Sequence, residues 1–391
     1  MNSLDLFLVI IVIAYALSGF VQGFLCGLAS SIGLLIGGGL AIVIVPRLIK
    51  PENPTLTTSF MALVLVLVLA IVGQALGTMV GNALRASVNS QPLRSMDSVA
   101  GSGFSMVAAL VVAWALGFAV SGSQIPYLSE QVRSSAVLDR VDAVMPKAAD
   151  ESLQSFAQLL DTGLFPRYLE PFEKEKIVSV EPPDPEVLKD PEVRTAGRSV
   201  VKVTGNAAKC NRGIEGSGFV FAPERVMTNA HVVAGVDRPT VLIGGRRYDA
   251  RVVVFDPNID VAVLRVDGLD ATPLKFDTTG ESGDTGAVLG FPENGPFDAR
   301  AARIRTEQTL RSPDIYDNGT VLRQAFSIRS LVRSGNSGGP LVSGSGRVYG
   351  VIFAASVSDS ATGYALTADQ VGASAAKGRT ATSRVSTGGC A

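Results

Sequence analysis

The chain has 391 residues, of which 47% are hydrophobic and 18% are charged, with 34 Lys and Arg against 35 Asp and Glu. A balanced charge and a high apolar fraction exclude a disordered chain and a nucleic-acid-binding protein. The charge is unevenly distributed: residues 1–126 hold seven charged side chains, and residues 127–391 hold the other 62. The sequence therefore predicts an apolar N-terminal part and a water-soluble C-terminal part.

The N-terminal part contains four apolar windows of about 20 residues, the length that a helix needs to cross a membrane. They are Leu6–Phe24, Ala29–Leu48, Phe60–Val80 and Val99–Val120. The first window does not fit a signal peptide, because no Lys or Arg precedes it and three more apolar windows follow. We expect residues 1–126 to form an all-α transmembrane four-helix bundle in the lipid bilayer.

Glycines recur at four-residue spacing in this part, as at Gly33 and Gly37 and again at Gly73, Gly77 and Gly81. Small residues on one face let helices approach closely in lipid, either within the bundle or across a dimer, and we favour packing within the bundle. No window carries a central ionisable residue, which argues against a transporter. Basic residues flank the windows equally on both sides, so they do not select an orientation.

Residues 127–180 are predicted to form an amphipathic helical region followed by a Pro-rich linker. Leu138, Val141 and Met145 repeat at helical spacing. The same spacing recurs at Leu153, Phe156, Leu160 and Leu164. This apolar face packs on the next domain or lies at the membrane surface, and the mixed charge of the polar face favours packing. Prolines between residues 182 and 191 end regular structure, so we place the third domain at 181–391.

Short β-rich runs separated by turn residues follow Arg194. They are Ser199–Val203, Gly218–Phe221, Pro239–Ile243, Ala250–Phe255, Val261–Val266, Thr285–Leu289 and Val348–Ala354. A series of short strands at this spacing predicts an all-β barrel or sandwich. No long helical pattern separates the runs, which argues against a parallel α/β sheet.

Three residues of this region suggest nucleophilic catalysis. His231 is the only histidine of the chain, and Asp260 and Ser337 follow it in that order. A serine hydroxyl becomes an effective nucleophile when a base takes its proton, and a neutral imidazole suits that task near neutral pH. A buried carboxylate then orients the imidazole. A structural histidine is the alternative, but the three residues together in this order favour a catalytic triad.

The glycines around Ser337, in the sequence GNSGGPL, permit a tight turn. Such a turn can direct the N–H groups of Gly335 and Ser337 at one point and form an oxyanion hole. A plain glycine turn is the alternative for this motif alone.

The C-terminal part resembles the trypsin-like serine proteases, and most closely their bacterial HtrA-like branch. The motifs that carry the resemblance are GSGFVF from 216, TNAHVV from 228, DVAVL from 260, GFP from 290 and GNSGGPL from 335. The resemblance implies an all-β double β-barrel of the trypsin-like protease fold, with six strands in each barrel and the active site between them. It implies His231 as general base, Asp260 as its orienting carboxylate and Ser337 as nucleophile, with no cofactor and no metal. The stretch that follows Ser337 is too short for the PDZ domain that HtrA proteases usually carry, so we expect none.

The four-helix pattern of the N-terminal part is similar to the colicin V production (CvpA) membrane family. Together the two parts resemble the MarP-like family of actinobacterial membrane-anchored serine proteases. That resemblance implies a serine endopeptidase that cleaves cell-envelope proteins in acid and oxidative stress. The Pro-rich linker is a candidate self-cleavage site. The alternative is a membrane scaffold whose protease-like domain only binds peptides, which predicts a missing triad residue.

Two further predictions concern the compartment and the specificity. Cys210 and Cys390 are either free thiols or a disulfide, which we favour because a penultimate cysteine has little use in packing. A disulfide implies an oxidising compartment and so places the protease domain on the periplasmic side of the inner membrane. In the trypsin-like family the floor of the S1 pocket lies six residues before the nucleophile, here at Leu331. Leu331 offers no carboxylate to basic side chains, which predicts apolar or small P1 residues.

Overall fold

The computed structural model describes residues 2–48, 56–88, 90–121, 126–145, 168, 175–207, 212–389 and 391. The chain divides into two compact units, one of residues 1–163 with 171–174 and one of residues 164–170 with 175–391. The first unit is helical, and the second is built mainly from β-strands. The second unit thus begins upstream of the position 181 expected from the proline pattern.

Six helices are described in the first unit. They are α1 Ser3–Gln22, α2 Phe24–Leu48, α3 Leu56–Ala86, α4 Gln91–Ser121, α5 Pro126–Arg133 and α6 Ala136–Asp142. Each of α1 to α4 contains a stretch long and apolar enough to cross a membrane. The prediction of four apolar helices at the N-terminus is therefore confirmed.

Glycines form the contact between α2 and α3. A Cβ atom on Gly33 would lie 2.1 Å from the carbonyl oxygen of Gly73, and one on Gly37 would lie 2.4 Å from that of Leu69. Gly77 approaches the backbone of Ala29 in the same way. The glycine repeats therefore serve packing inside the unit, where small residues let two helices approach closely.

Two charged residues stabilise the junction between α1 and α2. The chain turns at Gly23, whose φ of +82° is unfavourable for other residues. The carboxylate of Asp97 accepts a hydrogen bond of 2.9 Å from the N–H of Leu25 and lies 3.2 Å from Nε of Arg85. Arg85 also donates to the last two carbonyls of α1. Both charges thus pair with each other and with helix ends, which would otherwise lack partners.

The expectation that the apolar stripe after the fourth span packs on the next domain is wrong, because the stripe packs within the helical unit. Leu138 and Val141 of α6 are buried in a cluster with Leu8, Trp114 and Phe118 of α1 and α4. The second predicted stripe, Leu153 to Leu164, lies outside the described residues.

The second unit consists of strands with a few short helices. The strands are β1 Val200–Ala207, β2 Arg212–Ala222, β3 Arg225–Thr228, β4 Thr240–Ile243, β5 Arg246–Asp249, β6 Arg251–Asp256, β7 Val261–Arg265, β8 Thr285–Gly290, β9 Asp298–Ser312, β10 Val321–Arg329, β11 Pro340–Ser343, β12 Val348–Ala355 and β13 Thr362–Thr367. The helices are α7 Pro191–Gly197 and α8 Ala368–Thr380, with 3-10 turns at Pro185–Lys189 and Pro292–Asn294.

These strands form two antiparallel sheets. The first has seven strands in the order β5-β4-β1-β2-β3-β7-β6, and the second is a closed barrel in the order β10-β13-β12-β11-β8-β9. Ala250 alone joins β5 to β6, although these strands lie at opposite edges of the first sheet, so this sheet must curl until its edges come close. The trypsin-like fold is confirmed, with a curled seven-stranded sheet in place of the first closed six-stranded barrel.

Apolar side chains form three large clusters in this unit. One cluster, which includes Val203, Val220 and Leu264, lies inside the curled sheet, and a second, which includes Ile328 and Leu341, fills the closed barrel. A third cluster joins residues from both sheets. Burial on this scale is the main source of stability for such a domain, and it fixes the loops at the sheet ends relative to one another.

The glycine contact between α2 and α3 is open to a direct test. Replacement of Gly37 by Leu would force a side chain into the backbone of α3, so the unfolding free energy in detergent should fall by about 1–3 kcal/mol. The matched control is Gly39→Leu, because a Cβ atom at Gly39 meets no atom within 4 Å. Equal thermal stability of the two variants would contradict this account of the packing.

Candidate active site

Strand pairing brings His231 and Asp260 to the same end of the curled sheet. β3 and β7 are neighbours in register, with Thr228 opposite Ala262. His231 lies three residues after β3, and Asp260 lies directly before β7. In an antiparallel pair, one strand ends beside the point where its neighbour begins. These two residues therefore meet, although β4, β5 and β6 lie between them in the sequence.

The Asp260 carboxylate holds His231 at two points. One oxygen lies 2.7 Å from Nδ1 of the imidazole, and the other accepts a 2.9 Å hydrogen bond from the His231 backbone N–H. Asp260 is buried, and its φ of +63° is a left-handed conformation that is uncommon outside glycine. The Asn229 amide donates to the Asp260 carbonyl at 2.8 Å and supports this conformation. The imidazole is therefore oriented, with Nε2 left for another partner.

Ser337 lies in a tight turn directly before β11. Gly335 and Gly338 have φ values of +86° and +82°. A Cβ atom at Gly335 would lie 2.4 Å from the carbonyl oxygen of Phe291, and one at Gly338 would lie 2.2 Å from that of Ser217. The glycines of the GNSGGPL motif are therefore required by both backbone conformation and space.

The polar groups predicted to react and to bind an oxyanion have no partners among the described residues. The Ser337 hydroxyl is buried and makes no hydrogen bond there. The N–H groups of Gly335 and Ser337 likewise donate to no described residue, whereas Asn336 and Gly338 donate to carbonyls. Buried polar groups are normally paired, so an unpaired set in one turn is expected where a ligand supplies the missing partner.

Gly216 of β2 lies close to both the loop that contains His231 and the turn that contains Ser337. A Cβ atom at Gly216 would lie 2.7 Å from the side chain of Val232 and 3.1 Å from the carbonyl oxygen of Ser337. The residue after the histidine and the serine itself therefore contact the same point of β2. The fold thus brings all three predicted triad residues to one region between the two sheets.

Ser217 was not recognised from the sequence, although it lies in the GSGFVF motif. Its hydroxyl donates to the Gly335 carbonyl at 2.6 Å and accepts from the Phe291 N–H at 2.9 Å. Its backbone N–H donates to the Ser337 carbonyl at 2.8 Å. Ser217 belongs to the curled sheet, and the turn it holds belongs to the barrel. A polar residue between two glycines was the available signal.

Arg323 of β10 is a second residue that sequence analysis missed. Its side chain is buried and donates to the Ser312 hydroxyl and, at 3.0 Å, to the Pro313 carbonyl. Burial lowers the pKa of Arg323, and the nearby Asp260 and Asp314 carboxylates oppose this effect. A buried positive charge therefore lies within electrostatic range of the Asp260–His231 pair. Strand periodicity gives no signal for such a residue.

Leu331 lines a surface pocket of about 350 Å³ together with Pro183, Arg329 and Ala361. The Leu331 side chain is 42% exposed. Two arginines and no carboxylate belong to the lining, as far as the structure describes it. The pocket is consistent in charge with a preference against basic P1 residues, and its assignment as S1 remains a prediction.

The predicted disulfide between Cys210 and Cys390 lies outside the described residues. The chain just before Cys390 follows the curled sheet, where Val385 donates to Val252 at 2.9 Å and Gly235 donates to Thr387 at 3.1 Å. In the described ranges, no three His, Cys, Asp or Glu side chains are grouped as a metal site requires.

The arrangement has the parts that acyl transfer from an amide requires. An oriented imidazole can take a proton from a hydroxyl, and two unpaired N–H groups in one turn can stabilise an oxyanion. Backbone conformation and strand pairing hold these parts in place.

Each of the two units matches a known protein family. Residues 216–351 match the Trypsin-like peptidase domain family, and residues 4–146 match the Colicin V production protein family. Serine protease Rv3671c of Mycobacterium tuberculosis is 39% identical over 392 residues, which cover 99% of this chain and 98% of that protein. The chloroplastic Protease Do-like 1 of Arabidopsis thaliana is 32% identical over 167 residues, 40% of this chain and 37% of that protein.

The crystal structure of the Rv3671c protease in its active form has a TM-score of 0.54 and 44% sequence identity. The match covers 57% of this chain and 99% of that structure. The similarity to the full-length Rv3671c sequence, which covers 99% of this chain, includes the helical unit as well as the peptidase domain. The chain therefore belongs to the family of serine proteases, exemplified by Rv3671c, that join a colicin V production-type N-terminal domain to a trypsin-like peptidase domain.

Proposed function

We propose that this serine protease is anchored in the inner membrane and cleaves cell-envelope proteins on the periplasmic side, in defence against acid and oxidative stress. We assign Ser337 as nucleophile, His231 as general base and Asp260 as the orienting carboxylate. The observation that carries the assignment is the double hydrogen bond from His231 to Asp260, combined with the buried and unpaired hydroxyl of Ser337.

The proposed reaction uses these residues as follows. Ser337 Oγ attacks the scissile carbonyl carbon while its proton passes to Nε2 of His231, and the Asp260 carboxylate stabilises the imidazolium. The N–H groups of Gly335 and Ser337 bind the oxyanion of the tetrahedral intermediate. His231 then gives the proton to the leaving amine, which leaves an acyl-enzyme on Ser337. Water, activated by the same imidazole, hydrolyses the ester and restores the serine.

Membrane anchoring is supported by the four apolar helices and by the colicin V production match. The periplasmic side rests on the proposed Cys210–Cys390 disulfide, because such bonds persist in oxidising compartments. An anchor of this kind keeps the protease near envelope substrates. The chain between the two units is also a proposed substrate, so that self-cleavage would release the peptidase domain.

A membrane-impermeant fluorophosphonate tests the proposal in spheroplasts that express the full chain. We expect a labelled band in intact spheroplasts and none with Ser337→Ala, because only an activated serine reacts. Labelling that requires lysis would place the domain in the cytoplasm, and labelling that persists in Ser337→Ala would exclude Ser337 as the nucleophile. The size of the chain on an immunoblot reports self-cleavage, and clipping that continues in Ser337→Ala would reject it.

The hydrogen bonds of Ser217 predict a loss of catalysis at a distance from the reacting atoms. In Ser217→Ala the Gly335 carbonyl and the Phe291 N–H lose a partner, so the oxyanion turn should lose its fixed geometry. We expect kcat on a peptide substrate to fall about 10²-fold with little change in KM. Ser374→Ala, a buried serine of α8, is the matched control and should retain wild-type kcat.

The buried charge of Arg323 predicts a loss of both stability and activity. Replacement by Met leaves the Ser312 hydroxyl and the Pro313 carbonyl without their buried donor, so the unfolding free energy should fall by about 1–3 kcal/mol. We also expect kcat to fall and to recover in part with Lys, which keeps the charge. Arg311→Met, at an exposed position of β9, should change neither quantity. Full activity of Arg323→Met would show that the charge does not act on the Asp260–His231 pair.

A further inference from the structure

An extended segment upstream of the strands lies against the closed barrel. In this segment, residues 175–184, called here the strap, alternate carbonyl groups accept hydrogen bonds from arginines of β9 and β10. The Arg305 guanidinium donates to the carbonyl oxygen of Val178 at 2.7 Å. Arg329 donates to the carbonyl oxygen of Val180 at 2.6 Å, and Arg303 to that of Pro182 at 3.1 Å. The period of two is that of an extended chain with one edge facing the barrel. The strap is therefore a docked part of the peptidase unit.

Glu175 begins the strap and accepts four hydroxyl hydrogen bonds. Tyr168 donates to one carboxylate oxygen at 2.9 Å and Tyr364 to the same oxygen at 2.5 Å. Ser356 donates to the other oxygen at 2.9 Å, and Ser358 donates to it as well. Tyr364 is fully buried, and burial raises its pKa, so its phenol remains a hydrogen-bond donor. Hydrogen bonds to a carboxylate are among the stronger ones in proteins.

The two serines belong to the turn between β12 and β13, residues 356–361. The Ser356 hydroxyl accepts from the backbone N–H groups of Ser358 and Asp359 at 3.1 and 2.9 Å. Its own proton is therefore directed at Glu175. The Tyr168 hydroxyl accepts from the N–H of Val357 at 2.8 Å. Glu175 and its partners thus hold the backbone of this turn from one side.

The same turn forms part of the pocket that contains Leu331. The backbone N–H of Ser330 donates to the carbonyl oxygen of Ala361 at 2.9 Å. Ser360 and Ala361 line the pocket beside Leu331, and Pro183 of the strap lines it too. The strap and the turn that Glu175 holds therefore form walls of the pocket at the predicted S1 floor.

We propose that Glu175 is a positioning residue for substrate selection: through the 356–361 turn it sets the shape of the Leu331 pocket and hence the preference for the P1 side chain. This proposal rests on the proposed function, because Leu331 must lie at the S1 site. It gives the chain upstream of the catalytic domain a part in specificity, although no atom of the strap is required to touch the reacting atoms.

Glu175→Gln is the sharpest test, because the side chain keeps its size. An amide offers one acceptor oxygen and directs an N–H₂ group, which cannot accept, at two of the hydroxyl donors. The turn must then rearrange. Glu181→Gln, the same substitution at an exposed position of the strap, is the matched control. Tyr364→Phe removes one donor from the other side and should act in the same direction.

The measurement uses the full chain in detergent and a peptide series that varies only at P1. We expect the ratio of kcat/KM between the best and the next P1 residue to fall about tenfold in Glu175→Gln, since discrimination in an apolar pocket depends on its fit. The rate of fluorophosphonate labelling at Ser337 should stay near the wild-type rate. Glu181→Gln should keep the wild-type ratio.

Two negative results have different meanings. An unchanged P1 ratio in a folded Glu175→Gln protein, with its thermal unfolding monitored in parallel, would overturn the positioning role and leave the proposed function intact. A wild-type chain that neither cleaves the peptides nor reacts with the fluorophosphonate would overturn the proposed function itself. If Glu175→Gln unfolds, Tyr364→Phe decides: an unchanged ratio in that variant also overturns the role.

Discussion

The hydrogen bonds of Ser217 are the interaction on which the candidate active site depends. His231 and Asp260 lie in loops of the curled sheet, and Gly335 and Ser337 lie in the turn before β11 of the barrel. Ser217 of the curled sheet holds the barrel's turn through its hydroxyl and its backbone N–H. Catalysis by a base on one sheet and a nucleophile on another requires such a link, because small displacements of reacting groups cost large factors in rate.

Charged side chains of the barrel bind a chain segment that lies upstream of the first strand, so this segment becomes part of the peptidase unit. Three arginines bind the carbonyls of the strap, and Glu175 gathers four hydroxyls at the other end of the same segment. Backbone groups in an irregular segment need partners, and guanidinium groups supply them where no strand is available. The chain that leads from the helical unit is therefore part of the protease fold by the time it reaches residue 175.

The helical unit follows a different rule, because lipid does not drive apolar helices together. Close backbone approach at Gly33, Gly37 and Gly73 replaces the burial of large side chains. Large apolar residues, such as Leu35 and Ile71, instead point outward. The few charges of this unit pair at helix ends, as Arg85 and Asp97 do. Its surface is thus suited to a bilayer, and its interior to tight backbone contact.

Much of this organisation could be predicted from the sequence, since it depends on local pattern. Apolar windows longer than a globular helix requires predict the four N-terminal helices, and short apolar runs between turn residues predict strands such as β6, β7 and β12. The long hairpin of β9 and β10 escaped prediction, because its many arginines hide the alternation that identifies a strand. The order of His231, Asp260 and Ser337, together with their motifs, indicates a protease from the sequence alone.

The sequence by itself determined the class of fold, the candidate triad and the family, because residue type and spacing carry that information. Tertiary structure alone decided that Ser217 holds the turn of Ser337, that Arg323 is buried near Asp260 and that Glu175 holds a turn far along the chain from it. These contacts join distant parts of the chain across two sheets. No local pattern records them, since an arginine or a glutamate is as common on a solvated surface, and only folding brings its partner close.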